Sequence, residues 1–227
     1  MKKTNVLIGW FLMAVFVEFS VWPSQAFAVD FLAMVQQKTV DDIEKELRSL
    51  PADVRRKKLT AKFENGDTAL IFAARQGNLP LFDVLAQAGA DPNARDANGR
   101  DILNIAVRLS NPQLAKHAIS AGTDVTALTK KYQGSNLIFA SHQGEVEIVK
   151  QLIAAGAPLD RINVLGWTAL LEATILGNGG RKHQAVVKAL LSAGADQTIA
   201  DESGLTPLDH ARRRGHNDMV SVLSSDY

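Results

Sequence analysis

Cysteine is absent from the 227-residue chain. Its absence excludes disulfide bonds, thiolate metal sites, a cysteine nucleophile and a lipidated cysteine near the N-terminus. The chain also lacks an excess of one charge, because 25 lysines and arginines nearly balance 24 aspartates and glutamates. Without a basic excess to neutralise phosphates, nucleic acid is not expected as the main partner. Apolar residues make up 46% of the chain, which is ordinary for a folded globular protein.

The first 28 residues have the layout of a secretory signal peptide. A short positive start precedes a mostly apolar run over residues 6–22, and Ala26 and Ala28 are small residues at the two positions that signal peptidase recognises. Cleavage is therefore expected after Ala28. A retained membrane anchor is the alternative, but the apolar stretch before Glu18 is too short to cross about 30 Å of hydrocarbon. No stable membrane insertion is expected once the signal peptide is removed.

The signal peptide also predicts where the mature protein is located. Removing residues 1–28, which contain two lysines and one glutamate, changes the formal net charge from +1 to zero. A short lysine start followed by a mature chain without cysteine favours the periplasm of a Gram-negative bacterium.

A pattern recurs five times between residue 65 and the C-terminus. Each copy opens with a hydroxyl or carboxyl side chain, which is followed by a leucine two positions later and an alanine three positions after that. The opening residues are Thr68, Asp101, Ser135, Thr168 and Thr206. Three of the four spacings between them are 33 or 34 positions, and the last is 38. Self-similarity at such a period is the signature of a repeat architecture.

This pattern resembles the ankyrin repeat, whose copies open with Gly-x-Thr-Pro-Leu-His-x-Ala and close their second helix with Gly-Ala-Asp. The resemblance covers about seven-tenths of the chain. It implies an all-α solenoid of stacked helix–turn–helix units with hairpin-loop tips. The physical reason for stacking is that one unit cannot bury both of its apolar faces alone, so neighbouring copies must supply the core between them.

Within each copy the residue types match the helix ends. The opening side chains can accept hydrogen bonds from the free N–H groups of the first helix. Glycines are expected to end these helices in a left-handed backbone conformation. They are Gly77, Gly144, Gly177 and Gly215. The second copy has Ser110 at this position, and the third has Gln133 where the hairpin of the other copies has glycine. No copy has the family's histidine after the leucine, so the hydrogen bonds that it usually supplies are not expected.

The sequence therefore predicts three regions: a signal peptide over residues 1–28, N-terminal capping helices and a basic linker over 29–64, and the ankyrin array over 65–227, with its last repeat as a C-terminal cap. In the N-terminal cap, two short helices with apolar stripes are expected within residues 31–50. The stripes are Phe31, Leu32 and Val35 on the first helix, and Val40, Ile43 and Leu47 on the second. The linker that follows contains the basic run Arg55–Lys58.

The resemblance implies that a partner protein binds along the concave groove and the loop tips. Carried over position by position, the partner-binding candidates are Arg75, Gln76, Arg100, Arg108, Tyr132, His142, Trp167 and Arg213. Aromatic residues and arginines commonly anchor protein interfaces. An alternative stays open for each type: Trp167 and Tyr132 can instead cover the adjacent loop, and the arginines can be solvated charges.

Catalytic, cofactor and metal sites are not predicted. None of the five histidines has zinc-ligand spacing, and no Gly-x-Ser-x-Gly motif is present. The extra length of the fourth copy lies within residues 178–184 and is interpreted either as a structural variant of the family or as a partner contact. The functional hypothesis is a non-catalytic, periplasmic protein-binding scaffold. Two alternatives are an immunity or inhibitor protein that neutralises a secreted toxic enzyme, and a metal- or small-molecule-binding protein that uses the loop containing His183.

Overall fold

The computed structural model describes the backbone of residues 23–129 and 133–225, with side chains from residue 30 onward. Apart from residues 23–28, the predicted signal peptide lies outside this part of the chain. Those six residues belong to the first helix. Within the described ranges, no helix combines the length and the apolar character that crossing a membrane requires.

The described chain forms thirteen α-helices, joined by turns and hairpin loops. They are α1 (Pro23–Gln37), α2 (Val40–Ser49), α3 (Ala52–Thr60), α4 (Ala69–Gln76), α5 (Leu79–Gln87), α6 (Ile102–Arg108), α7 (Pro112–Ser120), α8 (Asn136–Gln143), α9 (Val146–Ala154), α10 (Ala169–Ile175), α11 (Arg181–Ser192), α12 (Pro207–Arg213) and α13 (Asn217–Leu223). The last ten pair up as five repeats, which we number 1 to 5 from α4–α5 to α12–α13.

The first helix of every repeat begins directly after the predicted capping residue. In each case the side-chain oxygen accepts a hydrogen bond from the backbone N–H three residues later, which satisfies one of the free donors of the first turn. These bonds join Thr68 to Ile71 (3.4 Å), Asp101 to Asn104 (2.8 Å), Ser135 to Ile138 (3.2 Å), Thr168 to Leu171 (3.2 Å) and Thr206 to Asp209 (3.3 Å). The predicted helix starts are therefore confirmed.

The repeats stack in two helical layers. The first helices α4, α6, α8, α10 and α12 pack in that order, and the second helices α5, α7, α9, α11 and α13 form the other layer. The leucines of the recurring pattern lie in one continuous apolar core between the layers, with Leu70, Leu103 and Leu137 fully buried. Each unit contributes only part of this core, as expected for a solenoid. The all-α prediction is confirmed.

The N-terminal cap agrees with the sequence pattern, but the linker after it contains an additional helix. Phe31 and Leu32 of α1 and Ile43 and Leu47 of α2 are buried as expected. Helix α2 packs on α5, whereas α3 lies against both α1 and α4. The basic linker is thus mostly helical.

Helix α3 also buries one of the linker lysines. Lys58 is only 7% exposed, its Nζ lies 2.9 Å from Glu46 Oε1, and the same atom sits 5.4 Å from the centroid of the Phe31 ring. An ion pair and a cation–π contact together compensate for the desolvation of this ammonium group. Part of the basic run therefore holds the cap together.

Three of the four predicted left-handed glycines are confirmed, and one prediction is wrong. Gly77, Gly144 and Gly215 have φ values of 64°, 71° and 68°. Gly177 does not have a positive φ; it is required for space, because a Cβ there would lie 2.2 Å from the carbonyl oxygen of Ala173. The cause is the longer connection in repeat 4, which changes the path of the chain after α10.

The extra residues of repeat 4 form a packed turn and lengthen its second helix. Helix α11 has 12 residues, whereas α9 has 9. The side chain of Gln184 donates to the carbonyl oxygen of Gly179 (2.7 Å), and the side chain of Asn178 accepts from the N–H of Gly180 (2.9 Å). These bonds favour the structural interpretation of the insertion.

Candidate binding cleft

An open cleft lies on the first-helix layer, between the hairpin tips of repeats 2, 3 and 4. Its volume is about 470 Å³, within the usual range for ligand-binding clefts. Helices α6, α8 and α10 supply its floor, and the three hairpins supply its rim. The lining residues are Asn98, Gly99, Arg100, Asn104, Arg108, Thr129, Gly134, Ser135, Ile138, Phe139, His142, Asn163, Leu165, Glu172 and Leu176.

The two sides of the cleft differ in chemistry. On the repeat 2 side, the guanidinium of Arg108 lies 5.9 Å from the centroid of the Phe139 ring, which is within cation–π distance. On the repeat 4 side, Leu165 and Leu176 are each 46% exposed. A cationic wall therefore faces an apolar one.

A buried carboxylate lies at the floor of the cleft. Glu172 is 7% exposed, and its Oε1 lies 3.1 Å from His142 Nδ1. Asn163 Nδ2 donates weakly to Glu172 Oε2 at 3.5 Å. Burial raises the pKa of Glu172. The hydrogen bond and charge of His142 and the hydrogen bond from Asn163 only partly oppose that effect. The Glu172 contact fixes the His142 ring at the cleft surface.

Repeat 1 is joined to repeat 2 by a network of ion pairs beside the cleft. Arg75 Nε lies 2.8 Å from Asp67 Oδ2, and its Nη2 pairs with Asp96. Arg100 Nε lies 3.0 Å from the same carboxylate, which is fully buried. Burial alone would raise the pKa of Asp96, but the backbone N–H groups of Arg100 and Asn98 and the two guanidinium charges together lower it.

A common theme links these contacts: the side chain in the last turn of a first helix reaches the next repeat. Arg75 pairs with Asp96 of repeat 2, Arg108 covers Phe139 of repeat 3, and His142 binds Glu172 of repeat 4. These equivalent positions were predicted to bind a partner. The structure shows that they make contacts between successive repeats.

The comparisons with known proteins agree with this architecture. The sequence model of the family described as ankyrin repeats (3 copies) matches residues 31–129, 103–201 and 137–227. The chain belongs to the ankyrin repeat family. A putative ankyrin repeat protein of Escherichia coli strain K12, YahD, is 32% identical over 195 residues, which are 86% of this chain and 94% of YahD.

Solved ankyrin structures are similar over most of the chain. An ankyrin repeat domain from Acinetobacter baumannii has a TM-score of 0.76 and 36% identity, and the match covers 86% of this chain and 95% of that domain. The ankyrin repeat protein EF0377 also has a TM-score of 0.76, with 25% identity, and covers 88% and 98%. Ankyrin repeats are generally protein-interaction scaffolds, and such arrays are typically non-catalytic.

The ankyrin groove brings together some of the predicted binding residues and leaves others apart. Arg100, Arg108 and His142 line the cleft. Arg75 is held by two carboxylates beside it. Three further candidates do not line the cleft: Gln76 and Arg213 are exposed, and Trp167 is half-buried. The remaining candidate, Tyr132, lies outside the described residues.

Several lining residues were not predicted from the ankyrin pattern. Ile138 and Phe139 lie one turn before His142 on the same helical face, so helical periodicity from His142 could have found them. Glu172 carried a different signal, because it is a charged residue inside the apolar run Ala169–Ala173. A charge at a buried helical position commonly marks a specific contact.

His183, predicted in a loop, lies in the first turn of α11 and makes a structural contact. His183 Nε2 lies 3.0 Å from the carbonyl oxygen of His142, so this imidazole joins α11 to α8. Residues 30–129 and 133–225 contain no group of three or more histidine, aspartate or glutamate side chains placed to hold a metal ion.

Proposed function

We propose that this ankyrin repeat protein is an exported, non-catalytic scaffold that binds another protein through the cleft of repeats 2–4. The observation that carries the proposal is the open cleft of about 470 Å³, in which two exposed leucines face an arginine that lies over an aromatic ring. Exposed apolar residues grouped at a concave surface are characteristic of interaction sites.

The distribution of exposed apolar residues supports this surface over the rest of the molecule. Among the described residues, the large apolar side chains that are substantially exposed are Leu109, Ile162, Val164, Leu165 and Leu176. Three of these lie in the hairpin before α10, and Leu176 follows the same helix. Repeat 4 therefore carries four of these five side chains, and two of the four, Leu165 and Leu176, line the cleft.

Affinity capture tests the binding function. The full chain, carrying a C-terminal tag, is expressed in its source bacterium, and proteins that co-purify after cross-linking are identified by mass spectrometry. The Leu176→Glu variant is expected to lose the partner, because a carboxylate on the apolar wall opposes its burial in an interface. Lys188→Glu is the matched control, since Lys188 is an exposed residue of α11 in the second-helix layer of the same repeat. Equal recovery with both variants contradicts the use of the cleft.

Export is the second part of the proposal and has its own experiment. The layout of residues 1–28 supports cleavage after Ala28. Cell fractionation followed by N-terminal sequencing is expected to find a periplasmic protein that begins at Val29. A cytosolic protein that begins at Met1 would refute export and leave the binding function to be judged by the capture experiment.

A further inference from the structure

We infer that the cleft recognises an extended protein segment in which a large apolar residue lies two positions from an aspartate or glutamate. The inference rests on the proposed function and specifies the chemistry of the partner. The apolar side chain packs against Leu165 and Leu176, and the carboxylate pairs with Arg108.

The apolar half of the recognition comes from repeat 4. Leu165 and Leu176 both line the cleft, and each leaves 46% of its surface exposed. Ile162 and Val164 in the same hairpin are exposed by 49% and 51%. These two side chains do not line the cleft. A leucine- to phenylalanine-sized side chain can pack on Leu165 and Leu176, and removing their apolar surface from water favours binding.

The charged half comes from repeat 2. Arg108 is exposed, and no ion pair involving it occurs within residues 30–129 and 133–225. Its guanidinium is held over the Phe139 ring at 5.9 Å, which leaves N–H groups free to bind a carboxylate. By contrast, Arg100, the other arginine of the cleft, has its Nε 3.0 Å from the Asp96 carboxylate, which compensates part of its charge. Arg108 is therefore the cation that an acidic segment would meet.

The buried carboxylate of Glu172 at the floor of the cleft does not reverse the preference for an acidic segment. Glu172 is 7% exposed, and its two oxygens lie 3.1 Å from His142 Nδ1 and 3.5 Å from Asn163 Nδ2. Little of the carboxylate is accessible, and its neighbours already occupy it. A basic segment would find a poorer partner here than an acidic segment finds in Arg108.

The dimensions of the cleft fit an extended chain. Three first helices form its floor, and packed helices lie about 8–10 Å apart, so the cleft extends over roughly 20 Å. An extended chain of about six residues spans this length. The guanidinium of Arg108 lies over the Phe139 ring of repeat 3, so about one helix spacing separates it from the leucines of repeat 4. Side chains two positions apart point to the same side of an extended chain and lie about 7 Å apart, and their own length lets them reach the arginine and the leucines together.

Selection from a phage library of random peptides on the purified full chain tests the inference. The enriched peptides are expected to combine a leucine, isoleucine or phenylalanine with an aspartate or glutamate two positions away. On Arg108→Glu, the selected charge is expected to change from acidic to basic. On the double variant Leu165→Ser, Leu176→Ser, a synthetic form of the best peptide is expected to bind about tenfold more weakly by fluorescence anisotropy.

Arg213→Glu is the matched control, because Arg213 occupies the same position of repeat 5, is exposed and does not line the cleft. It should select the same peptides as the unmodified protein. Enrichment without an acidic preference, an unchanged motif on Arg108→Glu, or no enrichment at all would overturn the inference. If the capture experiment still yields a partner whose binding depends on Leu176, the proposed function stands and only this assignment of partner chemistry fails.

Discussion

Ser110 and Gln133 adopt the left-handed backbone conformation, with a positive φ, that glycine adopts at the equivalent positions of other repeats. Ser110 has a φ of 47° at the position where Gly77 has 64° and Gly144 has 71°. Gln133 has a φ of 47° at the hairpin position where Gly204 has 73°. The left-handed region costs an ordinary residue about 1–2 kcal/mol because its Cβ approaches the following carbonyl oxygen. Repeats 2 and 3 therefore contain local strain.

Relieving the strain in the third hairpin should stabilise the protein. For Gln133→Gly we expect the free energy of unfolding to rise by about 0.5–1 kcal/mol, since the larger unfolded-state entropy of glycine offsets part of the gain. Urea unfolding followed by circular dichroism measures the change. Gly204→Gln is the reverse control, because a Cβ there meets no atom within 4 Å and only the backbone conformation is affected. A loss of stability in Gln133→Gly would show that its side chain makes a contact worth more than the strain.

Two buried carboxylates should give opposite dependences of stability on pH. The raised pKa of Glu172 means that its contribution to stability is present below about pH 4.5, its ordinary pKa, and is lost as pH rises through the folded-state value. The lowered pKa of Asp96 means that its contribution is present above about pH 3.8 and is lost as pH falls through the folded-state value.

The variants Glu172→Gln and Asp96→Asn test these signs. Relative to the unmodified protein, Glu172→Gln should gain stability as pH rises above 4.5, whereas Asp96→Asn should be most destabilised near neutral pH and approach the unmodified protein below 3.8. Thermal unfolding across this pH range gives both slopes. Two variants with slopes of the same sign would contradict the assigned environments.

At the scale of helices and turns, the sequence predicted most of the repeats and less of the connections. Capping residues and leucines at a fixed period placed α4 to α13 because these signals are local. Helix α3 was not predicted, because the run Arg55–Lys58 lacks an apolar stripe and is held by contacts of Lys58 with Glu46 and Phe31. Such tertiary contacts leave no period in the sequence.

The turn after α10 was also not predicted from the sequence, and a substitution at Gly177 measures how tightly this turn is packed. In Gly177→Ala the new Cβ would lie 2.2 Å from the Ala173 carbonyl oxygen and 2.9 Å from His183 Cβ, so the backbone must shift. We expect the free energy of unfolding to fall by about 2–3 kcal/mol, as for other overpacked sites. Gly156→Ala is the comparison, since it has a positive φ but no atom within 4 Å and should lose only about 1 kcal/mol. Equal losses in urea unfolding would show that the turn after α10 relaxes freely.

The candidate site shows how far position alone can predict function. Arg108 and His142 were found because they occupy groove positions of the ankyrin pattern, and both line the cleft. Arg75 occupies the equivalent position in repeat 1, yet it is paired with Asp96, a residue 21 positions away in the next repeat. That pairing exists only once the repeats stack. Sequence reasoning therefore located the surface but could not separate binding residues from those that hold the stack together.

At the scale of the whole molecule, each repeat supplies one side of the interface with each neighbouring repeat and one strip of the groove. The cleft exists because three consecutive repeats place α6, α8 and α10 side by side, with their hairpins on the same side. A partner that spans these repeats would hold them in one arrangement, so binding and the stability of the stack are coupled.

Hydrogen–deuterium exchange on the protein with and without its captured partner tests the central claim most directly. The cleft of repeats 2–4 predicts slower exchange in α6, α8 and α10 and in the hairpins around Arg100 and Leu165 when the partner is bound. Slower exchange confined to the second helices α5, α7, α9 and α11, with the cleft unchanged, would contradict it.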